Sequence, residues 1–357
     1  MLEAIAQPDP VCHPPEGHAD ALAVMAWLTL HEWTPPRASV PRATAAQPSM
    51  MGIASTIGNV KILGAAAVAA WLILSHAAHK ARRRRVRAAL HGKLLGQTPE
   101  GKGGVRALYD ARTHLCPGLS ETGIVHLIAR AFVGTSTAEP EWGIHWLLGP
   151  KLSDRLDHTG ERLEIVTLFM TCALKTNAIY PVEGAVLGSE DNEGELAAVN
   201  VVRVFRDNYL KSWWEPFWET RIAFEAMLTG TMPKVYMDSN QGCLRGHIDA
   251  RVKQMVEITM QKLHALHAPG PHIYVAVMAT LPEKQGQGHC SRLMRAISRA
   301  ADLDKLPCYL ECTSERNSKI YQRFGYRVVG QYTVSVEKDE TGSLPFEHFY
   351  CMLRPPQ

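Results

Sequence analysis

Gln285-Gly286-Gln287-Gly288-His289-Cys290 is the segment whose residue types and spacing have the clearest chemical consequence. It follows the apolar, strand-like run Ile273–Thr280 and opens the helical pattern Ser291–Leu303. A glycine-rich turn at such a junction leaves backbone N–H groups unbonded at the positive end of the helix dipole. That is a receptor for a phosphate or pyrophosphate. Glycine lets an anion approach the main chain with no Cβ in the way.

The elements that must position this loop follow in a fixed order. A short strand pattern, Pro307–Cys312, comes after the helix. Thr313-Ser314-Glu315-Arg316-Asn317-Ser318 then reads as a helix start with Ser314 as N-cap. Ile320, Tyr321 and Phe324 belong to that helix, and Gly325 suits the left-handed position that closes it. Strand character resumes over Tyr326–Val336.

In this order the chain resembles the GNAT superfamily of N-acetyltransferases. Their acyl-CoA loop has the form Gln/Arg-x-x-Gly-x-Gly/Ala and their second motif the form Asn…Tyr-x-x-x-Gly-Phe/Tyr. Gln285, Gly288 and Cys290 occupy the three loop positions, with Cys290 a mild departure because cysteine is small and weakly polar. Asn317, Tyr321, Gly325 and Tyr326 match the second motif. Ala131-Phe132, Glu139-Pro140, Trp146 and the ending Phe346–Arg354 resemble small-molecule-type members. The resemblance covers about residues 104–357.

The resemblance implies an α/β (α+β) fold. Its central sheet is mixed, mostly antiparallel, flanked by helices and splayed between its fourth and fifth strands, here Ile273–Thr280 and Pro307–Cys312. The gap would bind the pantetheine arm as if it were a strand, using backbone groups of Met278 and Thr280. Amides of Gln285, Gly286, Gln287, Gly288, His289 and Cys290 would hold the pyrophosphate, and Arg292 and Arg295 would add positive charge. His289 is expected as a phosphate contact rather than a base. Acetyl-CoA is the implied co-substrate, with no metal. The Met278 N–H would stabilise the oxyanion, because a fixed dipole needs no reorganisation. Tyr321 would act as general acid on the thiolate, its hydroxyl being neutral near pH 7. Glu311 would take the amine proton directly or through water, since a carboxylate on a buried strand needs a partner or a role. Asn317 either bonds the cofactor or caps its helix. The implied activity is acetyl transfer to a primary amine by direct attack in a ternary complex, with a small molecule as acceptor. Two alternatives remain: an inactive acyl-CoA-binding sensor tethered to a membrane, or a transferase of longer acyl chains.

Composition agrees with a folded domain. The chain has 357 residues, 46% hydrophobic and 20% charged. A formal net charge of +3 gives no reason to expect nucleic acid, and no such motif is present. The eight cysteines form no C-x-x-C pair, which favours reduced thiols on the reducing side of a membrane.

Three regions are expected. Residues 1–50 are rich in proline and alanine and read as a disordered lead-in, or a loose helix. Residues 51–92 hold the uncharged 17-residue run Ile62–Ala78, which reaches about 25 Å as a helix, near the lower limit for a bilayer. With 52–60 included it would be long enough, and the block Lys80, Arg82, Arg83, Arg84, Arg85 and Arg87 would stay in the cytosol with the catalytic domain. A buried alanine-rich helix, an organelle-targeting segment and a soluble location are the alternatives. A nuclear-localisation or RNA patch explains the arginines but not the apolar run.

Residues 104–357 form the expected catalytic domain. A helix is expected over Glu121–Phe132, strands over Arg162–Leu174, Tyr180–Leu187 and Leu196–Phe205, and a helix over Arg251–Leu266 with Leu263 and Leu266 on its apolar face. Trp213, Trp214, Phe217 and Trp218 fit either an acceptor site or a core stripe.

Overall fold

A computed structural model of the chain describes residues 78, 80–96, 104–133, 143–144, 160–179, 181–206, 262–334 and 346–357. The aromatic cluster at 213–218, the pair Glu139-Pro140, Trp146 and most of the run 62–78 lie outside the described residues. Among the described residues no helix is long and apolar enough to cross a membrane.

One mixed sheet of seven strands organises the described residues: β1 (Val105–Ala107), β2 (Gly184–Glu190), β3 (Leu196–Phe205), β4 (His272–Thr280), β5 (Cys308–Cys312), β6 (Arg327–Val334) and β7 (Phe346–Arg354). Their spatial order is β1-β2-β3-β4-β5-β7-β6. Every neighbouring pair is antiparallel except β4 and β5, which run parallel. The expected splay is present. β4 and β5 register only at Ile273↔Cys308 and Tyr274↔Tyr309, while β4 runs on to Thr280.

Side-chain alternation divides the core between the two sheet faces. On one face lie Val199, Val201, Tyr274, Val277 and Tyr309, packed with α2 (Glu121–Val133) and α3 (Glu161–Leu174). On the other lie Ala198, Val202, Ile273, Val275, Cys308 and Leu310, packed with α5 (His289–Asp304) through Leu293, Met294 and Ile297. A helix over residues 80–95, here α1, joins this second core through Leu90 and Leu94.

The basic block therefore begins a helix of the compact unit that runs from Leu74 to Gln357. Arg87 is only 1% exposed. Its guanidinium donates to the carbonyls of Ala178, Ile179 and Pro181, where the α3 segment ends in the π-turn Lys175–Ile179. Lys93 pairs with Asp304, and Arg299 donates to the Leu94 carbonyl (2.7 Å).

Arg162–Leu174, expected as a strand, is helical. Val166, Met170 and Leu174 are buried at a spacing of four, the period of one helix face. The β-branched residues that suggest a strand are accommodated: Thr167 and Thr171 donate to carbonyls four residues back, 2.6 and 2.8 Å away. The next strand starts at Gly184 rather than Tyr180, past Pro181, which has no N–H for a ladder. Only the end of the expected helix over Arg251–Leu266 is described, as α4 (His264–His267), and its Leu266 is 65% exposed rather than on an apolar face.

Candidate active site

The glycine-rich loop forms the strand-to-helix turn that the sequence predicts. Gln285, Gly286, Gln287 and Gly288 are exposed. Gly286 and Gly288 have φ of 76° and 82°, and a Cβ on either would meet no atom within 4 Å. Conformation, not crowding, therefore requires glycine here. Gly288 caps α5, whose first internal bond is Arg292 N–H to the Gly288 carbonyl. Among the described residues the N–H groups of Gly286, Gln287, Gly288, His289, Cys290 and Ser291 have no backbone acceptor. They form an exposed arc of donors at the start of a 16-residue helix.

The His289 side chain is placed differently from expectation. His289 is 2% exposed, its ring turned inward against β2 rather than toward the loop surface. Its Nδ1 lies 3.1 Å from Ser189 Oγ and accepts from Arg292 (2.7 Å). Burial, then the Arg292 charge, lowers its pKa, so it is a neutral brace beneath the loop. Arg292 also donates to Ser189 Oγ (3.1 Å). Arg295 is exposed on α5. Burial pushes the Cys290 thiol up to about 11, as suits a small packing residue.

At the splay, β4 carries a bulge. Val201 pairs with Val277 and Val202 with Val275, so Ala276 is an extra residue. Asn200 of β3, fully buried, donates its side-chain amide to the Val277 carbonyl (2.9 Å) and faces Met278 in the ladder. Met278 and Thr280 thus lie on the length of β4 that β5 has left. Met278, Cys290, Tyr321 and Phe324 all flank the second core, which brings three sequence-predicted residues to one sheet face. Tyr321 is half-buried, its ring 6.1 Å from that of Tyr326.

Its helix, α6 (Glu315–Gln322), starts as predicted, with Ser314 Oγ accepting from the Asn317 N–H (3.1 Å). The cap is therefore Ser314, and Asn317 supplies the N–H that it satisfies. The helix closes at Gly325 (φ 87°), whose N–H bonds to the Gln322 carbonyl while Tyr326 N–H bonds to the Tyr321 carbonyl.

Glu311 lies on the opposite face. Cys308, Leu310 and Cys312 of β5 point into the second core, so Glu311 shares the face of Tyr309. Among the described residues, Glu311 Oε1 and Tyr309 Oη are buried without a hydrogen-bond partner. Burial raises the Glu311 pKa to about 7, and the nearby hydroxyls of Tyr274 and Tyr309 pull the other way. Asn200, Tyr274 and Tyr309 were not anticipated as site residues. A lone asparagine inside the run Ala197–Val204 was the one available signal.

Asp191, Glu193 and Glu195 bring carboxylate oxygens within 4.8 Å of one another. Asp191 accepts from the N–H groups of Glu193 and Glu195 and from Lys284 (2.7 Å), which makes it the brace of the β2–β3 turn.

Residues 247–328 match the family model of the acetyltransferase (GNAT) domain. No curated protein matches the chain. Among solved structures, a histone acetyltransferase HPA2 and related acetyltransferase from Corynebacterium glutamicum is 18% identical, with 71% of this chain and 96% of that chain covered and a TM-score of 0.37. Arylalkylamine N-acetyltransferase 2 from Aedes aegypti is 11% identical over 67% and 97%, with a TM-score of 0.38. A polyamine N-acetyltransferase from Drosophila melanogaster is 14% identical over 66% and 95%, with a TM-score of 0.33.

Proposed function

We propose that this protein is an acetyl-CoA-dependent N-acetyltransferase acting on a primary amine, with a small molecule as acceptor. The observation that carries the reading is Glu311. It is a partly buried carboxylate whose Oε1 is enclosed without a hydrogen-bond partner, placed two residues beyond the last β4–β5 pair, in a chain whose loop before α5 offers an arc of unbonded amides.

The loop amides and the open length of β4 would bind the diphosphate and pantetheine parts of acetyl-CoA. The thioester then falls in the gap, with Tyr321 on one sheet face and Glu311 on the other. That division suits direct attack. The amine nitrogen bonds to the thioester carbon from the Glu311 side, and Glu311 accepts the proton that the nitrogen gives up. The Met278 N–H stabilises the oxyanion. Collapse breaks the carbon–sulfur bond, and the Tyr321 hydroxyl supplies the proton that the sulfur takes. A carboxylate with a pKa near 7 is matched to this work, being ionised enough to accept a proton and basic enough to hold it.

Thermal stabilisation by acetyl-CoA, compared with palmitoyl-CoA, tests the binding half. A ligand at 100 times its Kd stabilises by about 2.7 kcal/mol. Release of free CoA thiol across a panel of amines tests the chemistry. Stabilisation by acetyl-CoA with thiol release supports the reading. If neither coenzyme raises Tm, it is wrong.

A further inference from the structure

The mechanism leaves one buried group of titratable residues unused. His264 and His272 are both fully buried, with their Nε2 atoms 2.5 Å apart. His272 Nδ1 lies 2.6 Å from the Gly270 carbonyl, which can only accept, so this nitrogen carries a proton. Burial lowers the His272 pKa to about 4 and that of His264 to about 2, so both rings are neutral near pH 7. His272 Nε2 is then a lone-pair acceptor, and His264 Nε2 must be the donor. The Gly270 carbonyl thereby fixes the tautomer of both rings.

This pair sits at the splay. The His264 ring centroid is 4.6 Å from that of Tyr274 and 4.8 Å from that of Tyr309. These two tyrosines are the last registered pair before β4 and β5 separate, and Tyr309 stands two residues before Glu311 on the same face of β5, so that both hydroxyls favour the ionised carboxylate without Tyr309 closing a hydrogen bond to it. Phe205 holds the pair from behind, stacked 4.8 Å from His272 and edge-on to His264 at 5.3 Å. Arg203 of β3 lies 4.5 Å over the Phe205 ring and is the charge that bears on both histidines. Cys351 of β7 is the ladder partner of Glu311, and Tyr309 of β5 with its own partner Tyr274 of β4 lies on the same face.

We infer that His264 and His272 are positioning residues for Glu311. The locked neutral pair sets the Tyr274 and Tyr309 rings, and their hydroxyls set how readily the carboxylate takes a proton. The inference rests on the proposed function for its meaning but not for its test. Losing a tyrosine hydroxyl, or the ring that holds it, removes an interaction that favours the ionised carboxylate. Glu311 should then titrate at a higher pH.

The test compares His264→Leu, His264→Gln and Tyr309→Phe. Glutamine keeps a donor for His272; leucine does not. The first readout is infrared titration of the protonated carboxyl band that Glu311→Gln abolishes, which needs no turnover. The second is the acid limb of kcat/KM for the amine. His264→Leu and Tyr309→Phe should move both midpoints up by about one pH unit, with KM for acetyl-CoA unchanged. His264→Gln should return them toward the wild-type position. A merely structural histidine would lower Tm and leave both midpoints in place, and that result would overturn the inference. If His264→Leu does not fold, Tyr309→Phe decides alone: an unmoved carboxyl band sinks the idea. A band that moves in a protein acetylating no amine supports the positioning role and refutes the proposed function instead.

Discussion

The two ends of β4 are built from opposite chemistry. At the His272–Tyr274 end the backbone is paired on both sides and the work falls to side chains: two buried neutral histidines, two buried tyrosines and, one strand over, the partly buried Glu311. At the Met278–Cys290 end the second backbone edge is open, and the donors are main-chain N–H groups of an exposed turn. A ligand that is charged and constant can be held by backbone alone. A proton acceptor must be tuned, and tuning requires side chains in a dry setting. The two ends should therefore fail in different ways when altered.

The largest effect is expected at the side-chain end. Glu311→Gln should lower kcat by about 10²–10⁴-fold, the usual contribution of a general base, with little change in KM for acetyl-CoA. Steady-state kinetics with the best acceptor checks this. The wild-type rate should rise with pH through about 7, because the base works only when ionised. The stability sign is opposite. The folded-state pKa lies above the unfolded one, so the folded protein holds the proton longer and loses stability as pH rises between the two values. Glu311→Gln has no such loss, and denaturant midpoints should show its advantage over wild type growing across that window.

Gly288→Val attacks the other end. A β-branched residue at φ 82° is strained by about 1–2 kcal/mol, and its side chain would meet the anion. KM for acetyl-CoA should rise about tenfold, and the thermal shift with the coenzyme should shrink by the corresponding ~1.4 kcal/mol. An unchanged coenzyme shift would mean that the arc of amides is not the phosphate site. Between the ends, Asn200→Leu leaves the Val277 carbonyl without its donor and should cost about 1–3 kcal/mol in chemical denaturation. Smallest is Ser314→Ala, a lost helix cap worth about 1 kcal/mol in the same measurement, with the catalytic pH profile unmoved.

What the sequence made legible follows the same division. Backbone chemistry is written locally: glycines at positive φ, a serine three residues before the N–H it caps, and a glycine closing the next helix could each be placed from neighbours alone. The strand pair that splays was also readable, because its members flank the loop within a short span. The aromatic and histidine cluster was not, since Phe205, His264, His272 and Tyr309 come from segments far apart in sequence. Helix α3 carries β-branched Ile165, Val166, Thr167 and Thr171, which favour a strand, whereas the four-residue spacing of its buried Val166, Met170 and Leu174 is that of a helix face. His289 showed its position but not the direction of its ring, which Ser189 and Arg292 decide.

Arg87 shows where this domain can be cut. Five of the six cationic residues in Lys80–Arg87 are at least partly exposed, but Arg87 reaches three carbonyls beside the π-turn, and Leu90 and Leu94 fill the second core. A chain shortened to the first strand at Val105 would strip the donor from the Ala178, Ile179 and Pro181 carbonyls and open an apolar trench along α5. A cut that respects these contacts therefore falls before Arg87, and trimming the last arginine of the run with the exposed ones would take away the donor that holds the end of α3.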